Sequence, residues 1–188
     1  MNVPNAISFA RICAVPVVVW LILNENMTAA FWVVLVAAIS DAVDGIIAKR
    51  YGLTTVLGGY LDPLADKALL VSSYIALGHQ GFLPVWLVIL VVFRDALILV
   101  GAYLFHAVTQ ALDMSPLMIS KVNTVTQLIL AIIVIGSEGL QLNAAVFIEI
   151  LILIVAATTF ASGVAYVSVW TRKAYMFENG HTSGEEAD

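Results

Sequence analysis

The chain is predicted to fold as an all-α, polytopic membrane protein with six transmembrane helices. Three observations predict it. Of its 188 residues, 62% are apolar and only 11% are charged. The mean hydropathy is +1.01. Turn-forming residues divide the chain into six apolar stretches near the roughly 20 residues that a bilayer crossing needs. An ordinary soluble domain is about 45–50% apolar and about 25% charged. Too few polar side chains remain here to cover a water-facing surface, and the same apolarity excludes intrinsic disorder.

The predicted spans are residues 6–23, 29–48, 62–77, 84–105, 121–135 and 144–170. The first carries Arg11 and the lone cysteine, Cys13, which is expected to be inert core packing; it stops at Asn24-Glu25-Asn26. The second ends in Asp41, Asp44 and the pair Lys49-Arg50. Gly58-Gly59 is the expected break before the third, which opens on Asp62 and Asp66. Residues 78–84 lead into the fourth, which holds Arg94-Asp95. Met114-Ser115-Pro116 precedes the fifth, which is short and starts at Lys121. Residues 137–143 separate it from the last, which is long enough to tilt or emerge. Residues 1–173 are expected to form one membrane domain, with 174–188 a disordered acidic tail. No basic leader with a cleavage site precedes the first span, so a cleaved signal peptide is not expected.

Lysine and arginine orient the chain. With six spans, the termini and the second and fourth loops share a side. That side receives Lys49, Arg50, Lys121, Arg172 and Lys173, with Arg11 and Lys67 near the same level. The termini are therefore expected in the cytoplasm. Trp20, Trp32 and Trp86 fall near predicted outer ends and Trp170 near an inner end, as in an aromatic belt. The formal charge of −5 argues against nucleic acid as a partner.

Charge inside a membrane helix is expensive and usually marks function. Asp41 and Asp44 are three apart, and Asp62 and Asp66 four apart, so each pair projects from one helix face. The loop between them is short, and the two helices are expected to be antiparallel neighbours whose carboxylates converge. Four carboxylates in low dielectric need protonation or cations. Oxygen-only donors suit Mg²⁺, Mn²⁺ or Ca²⁺ rather than zinc. Two such ions at a membrane boundary suggest phosphoryl transfer. The bland reading is helix-end snorkelling, or salt bridges to Lys49, Arg50 and Lys67. A reading from another class is an ion-coupled transporter. The lack of repeat halves and the placement of the acids at one boundary speak against it.

Read together, Asp41-x2-Asp44-Gly45-x2-Ala48-Lys49-x8-Gly58-x3-Asp62-x3-Asp66 resembles the signature of the CDP-alcohol phosphatidyltransferases. Lys49 stands where that family usually has Arg. Pro4-Asn5 with Ser8, Arg11 and Pro16 is similar to the branch that makes phosphatidylglycerophosphate and cardiolipin. So is the run from Leu61 to Lys67. Ser120-Lys121-Val122-Asn123-Thr124 with Gln127 looks most like the CMP-forming cardiolipin synthases. The resemblance implies a six-helix, usually dimeric membrane domain with a cavity open to the cytoplasm. It implies transfer of a phosphatidyl group from CDP-diacylglycerol to phosphatidylglycerol or glycerol-3-phosphate, with CMP leaving. Asp41, Asp44, Asp62 and Asp66 would hold two Mg²⁺ or Mn²⁺ ions, and Asp66 would act as general base. Gly45, Ala48 and Gly58 would line the CMP pocket, with Lys49 and Arg11 toward the donor phosphates. Both acceptors carry phosphate, so Arg94 and Lys121 are candidate acceptor contacts. Their plain alternatives are an interhelical ion pair for Arg94 and an interfacial anchor for Lys121.

Overall fold

Six helices follow one another: α1 (Val3–Leu23), α2 (Met27–Tyr51), α3 (Val56–His79), α4 (Val85–Thr109), α5 (Met118–Gly139) and α6 (Ala145–Glu185). The computed structural model describes the backbone over residues 3–51, 56–109 and 118–185, and side chains over 9–40, 65–101 and 118–171. No strand occurs among the described residues. Each expected span has its helix, and each helix overruns the apolar stretch that announced it. Gly58-Gly59 is not the break: both lie inside α3. A glycine weakens a helix by about 1 kcal/mol yet still donates its hydrogen bond. α6 continues as helix to Glu185, well into the segment that composition assigns to a disordered tail.

The helices form a closed ring in the order α1, α2, α5, α6, α4, α3, with α3 also touching α5 across it. The described parts of α2 and α3 make no contact with each other, and α1 packs against both; the ends at which their carboxylates are expected to converge lie outside the described side chains. The core is built from Val18, Ile22, Tyr74, Leu77, Leu130, Ile135 and Val155.

The outward faces are apolar as well. Trp20, Trp32, Val36, Ile89, Phe93, Leu153 and Phe160 are all exposed, which a water-soluble monomer rarely tolerates in such number. Cys13 is exposed on α1 and not the buried packing residue expected. An apolar neighbourhood in the sequence does not say which face meets lipid. Among the described residues, Met118–Gly139 and Ala145–Thr171 are long and apolar enough to cross a bilayer, and Phe9–Leu23 and Met27–Ser40 are shorter apolar helical stretches.

Two of the turns close alike. After α1, Glu25 adopts φ 58° and the Asn26 amide donates to the Leu21 carbonyl at 2.9 Å. After α5, Gln141 adopts φ 54° and the Leu142 amide donates to the Ser137 carbonyl at 2.9 Å. Both are left-handed helix closures that satisfy the last carbonyls. Gln80, following α3, donates to the Ile22 and Leu23 carbonyls at 3.2 and 3.0 Å, which caps α1 from its neighbour.

Close approach at the far end of α5 depends on Gly139. Thr28 Oγ1 donates to its carbonyl at 2.6 Å. A Cβ there would lie 2.8 Å from the Met27 carbonyl. That contact is with backbone, which cannot swing aside as a side chain can. Gly139→Ala is therefore expected to push α5 off α2 and lower stability by about 1–3 kcal/mol. Thermal unfolding in detergent checks it; an unchanged transition would show that the α2–α5 contact is slack.

Candidate functional site

The described charged side chains inside the ring lie in two groups. In the first, Arg11 of α1 is buried and forms an ion pair with Asp66 Oδ1 of α3. Asp66 is 38% exposed, and its carboxylate opens on a cavity of about 170 Å³ between α1, α2, α3 and α5. Ala37, Ala38, Leu69, Leu128 and Ala131 make that wall largely apolar. Arg11 also borders a groove between α1 and α2 lined by Ala10, Ala14, Trp32 and Val36. One ion pair thus stands between two apolar spaces, one inside the ring and one facing outward.

In the second group, Asp95 Oδ1 of α4 receives two cations. Lys67 Nζ of α3 lies 2.6 Å away and Arg94 Nη1 2.7 Å away. Arg94 Nη2 donates to Ser120 Oγ of α5 at 2.8 Å and to Ser162 Oγ of α6. The guanidinium carbon sits 5.9 Å from the Tyr166 ring centre, within cation–π range. Arg94 therefore ties together the three helices that follow α3. Residues adjacent in a helix seldom face each other; here the long arginine stem curls back to reach its own neighbour.

The expected site residues separate accordingly. Asp66 and Arg11 meet. Arg94 is buried, pairs with Asp95 of its own helix and donates to Ser120 and Ser162 of α5 and α6. Lys121 is exposed on α5, and Arg94 reaches that helix through Ser120 instead. The side chains of Asp41, Asp44, Gly45, Ala48, Lys49, Gly58 and Asp62 lie outside the described residues.

Sequence reasoning missed Lys67 and Asp95 as a pair, and it missed a buried polar seam between α5 and α6. Asn123 Oδ1 accepts from Thr158 at 2.9 Å and Thr159 at 2.8 Å. Gln127 Nε2 donates to Thr159 Oγ1 at 3.3 Å, and the Tyr74 hydroxyl donates to the Gln127 carbonyl at 3.0 Å. The available signal was Thr158, Thr159 and Ser162 within an otherwise apolar stretch of α6. Polar side chains in such a stretch usually bond across helices.

Among the described residues, no three acids, histidines or cysteines gather to hold a metal. Asp66 is the described member of the acidic set. Its carboxylate borders a cavity, and α2 borders the same cavity through Ala37 and Ala38. Asp41 follows Ala37 by four residues of α2, a rise of about 6 Å.

An all-helical ring with lipid-like outer faces and its charge enclosed beside apolar cavities defines a membrane protein with polar chemistry inside. The CDP-alcohol phosphatidyltransferase profile matches residues 1–170, and the chain belongs to that family, a class of transferases. It is 38% identical to CDP-diacylglycerol–glycerol-3-phosphate 3-phosphatidyltransferase 1, chloroplastic, of Oryza sativa, over 88% of this chain and 56% of that one. It is 32% identical to the CMP-forming cardiolipin synthase of Rattus norvegicus, over 88% of this chain and 60% of that one. A CMP-forming cardiolipin synthase of Streptomyces coelicolor is 36% identical over 53% of this chain and 49% of that one. The chain thus spans about half to three-fifths of the length of these relatives.

Proposed function

We propose that this protein transfers the phosphatidyl group of CDP-diacylglycerol to phosphatidylglycerol, forming cardiolipin and releasing CMP. The carrying observation is Asp66: the last acid of the signature, ion-paired to Arg11 and open to a largely apolar cavity. A donor with two acyl chains and a charged pyrophosphate needs ionic and apolar surfaces side by side, and this wall supplies both. In this reading all six helices span the bilayer, residues 1–173 form the membrane domain, and 174–188 form a tail. The termini face the cytoplasm and the protein is a homodimer.

Asp41, Asp44, Asp62 and Asp66 would hold Mg²⁺ or Mn²⁺ here, as the family's general dependence on divalent metal supports. When bound, such ions neutralise pyrophosphate and the departing CMP. The chain's own residues do the rest. Gly45, Ala48 and Gly58 leave room for CMP, and Lys49 meets phosphate as a point charge, without arginine's fork. The cavity positions the acceptor hydroxyl in line with the β-phosphorus, and positioning supplies much of the rate. The hydroxyl oxygen bonds to that phosphorus, the bond to the bridging oxygen breaks, and CMP carries away the electron pair. Asp66 takes the hydroxyl proton. Arg11, already paired with Asp66, keeps that carboxylate oriented and reaches toward the donor phosphates.

A second reading has glycerol-3-phosphate as acceptor. The rice relative's name contains that compound, and the identity to it is the higher. The test is direct. Purified protein receives CDP-diacylglycerol, Mn²⁺ or Mg²⁺, and either phosphatidylglycerol or glycerol-3-phosphate. CMP is expected, with cardiolipin as lipid product. A phosphatidylglycerophosphate product would move the assignment to the second reading, and no CMP with any acceptor would sink both. Excess EDTA is expected to abolish CMP release and added Mg²⁺ or Mn²⁺ to restore it. Activity that persists in chelator would remove the metals from the mechanism.

A further inference from the structure

Two consecutive residues of α3 are held from two different helices. Asp66 pairs with Arg11 of α1. Lys67, the next residue, places its Nζ 2.6 Å from Asp95 Oδ1 of α4. Adjacent residues point about 100° apart around a helix of about 3.6 residues per turn, and α1 and α4 flank α3 in the ring. The two ion pairs therefore grip one turn of α3 from both flanks. Little else in that turn keys it against its neighbours. Its other described residues are Ala65, which is buried, and Ala68, which is exposed. The first bulky apolar side chains described beyond them are Leu69 and Leu70, in the core.

The anchor on α4 is itself fixed. Asp95 is buried, and the oxygen that meets Lys67 also meets Arg94 Nη1 at 2.7 Å. Arg94 is held in turn by Ser120 of α5 and Ser162 of α6. Lys67 thus ties α3 to the other half of the ring. The described lining of the Asp66 cavity comes from α1, α2, α3 and α5, so Asp95 acts on that cavity through Lys67. The lever is short. Side-chain tips lie about 5–6 Å from a helix axis, and a turn of about 10° moves such a tip by about 1 Å. A displacement of that size can cost about 10²-fold in rate.

We infer that Lys67 and Asp95 are positioning residues: their ion pair sets the rotation of α3 and so aims the Asp66 carboxylate into its cavity. The kinetic consequence rests on the proposed transfer reaction, while the structural half of the inference stands without it. In that reading Arg11 reaches toward the donor phosphates. Asp66 then shares its arginine with the donor, and the link on the α4 side keeps the helix from turning.

Lys67→Met is the discriminating variant. It removes the tether while Asp95 keeps Arg94, and Lys67 is partly exposed, so the fold should survive. Single-turnover CMP release should fall about 10–100-fold, with KM for CDP-diacylglycerol and for the acceptor unchanged. Lys67→Arg keeps the link and should restore the rate. Asp95→Asn weakens the same link from its other end, and carries the same test should the methionine variant fold poorly. Lys67→Met and Asp95→Asn together should be no slower than the slower single variant, because both act on one link. Rotation is read without turnover from nitroxide labels on Cys13 of α1 and on Ile75→Cys of α3, both exposed positions. Lys67→Met should widen the distance distribution between them in electron paramagnetic resonance. Wild-type turnover in Lys67→Met would overturn the inference. So would a raised KM at unchanged kcat, the mark of a lysine that touches substrate, additive losses in the double variant, or an unchanged label distribution. If the parent protein yields no CMP with any acceptor, the transferase reading fails and the label measurement alone decides whether Lys67 and Asp95 fix α3.

Discussion

Asp66→Asn is expected to lower turnover by about 10²–10⁴-fold, the usual worth of a positioned general base, while the protein still inserts and still binds CMP. The substitution keeps the shape and an oxygen that can accept from Arg11, but removes the charge and the proton-accepting capacity. Because Asp66 is partly exposed and Arg11 is buried, some destabilisation follows as well. An arginine left facing a neutral amide loses a charge-assisted hydrogen bond, about 1–3 kcal/mol. The two effects separate experimentally. A CMP-induced rise in unfolding temperature reports a folded, ligand-competent site, and single-turnover CMP release reports the chemistry. Loss of both would mean that the variant misfolds. Retention of the shift with collapse of the rate is the expected result, and wild-type turnover would dismiss Asp66 from the mechanism.

Asp95→Ala is expected to have the largest effect on stability. Its carboxylate neutralises part of two cations, and its side chain is 4% exposed against 3% for Arg94. Removing one partner of a buried pair strands the other and costs about 3–5 kcal/mol. Lys67 is 28% exposed and can turn toward water, so most of that loss belongs to Arg94. Arg94 in turn holds Ser120 and Ser162, so the damage should spread from α4 to α5 and α6. Asp95→Asn keeps an acceptor for both cations and should lose less. A double-mutant cycle with Lys67→Met isolates the share of the lysine. If Asp95→Ala unfolds within about 0.5 kcal/mol of the parent, the level of a surface substitution, the network is not what binds α3 and α4 to the rest.

These two residues show how unevenly the protein could be read. Asp66 was legible from its place in a spaced set of acids. Its partner was not: Arg11 lies 55 positions earlier, and nothing in either segment names the other. Arg94-Asp95 was legible as charge that lipid would not accept, whereas Lys67 looked like an interface lysine until α3 and α4 were seen side by side. The polar seam of Asn123, Thr158, Thr159 and Gln127 hid for a related reason. Hydroxyls are common in membrane helices, and only burial distinguishes those that bond across an interface.

The sequence alone determined the helices, their order and their apolar surroundings, because composition and turn chemistry act over a few residues at a time. It also determined that the acidic signature falls on α2 and α3. The tertiary structure decided which faces meet: α1 packed against both α2 and α3, the ring closing through α4 and α6, Arg11 paired with Asp66, and Lys67 and Arg94 sharing Asp95. The reason is the solvent. In water a helix advertises its buried side by an apolar stripe. Here both sides are apolar, so the packing face is chosen by small residues, close fit and a few enclosed hydrogen bonds, and these become visible only once the neighbouring helix is in place.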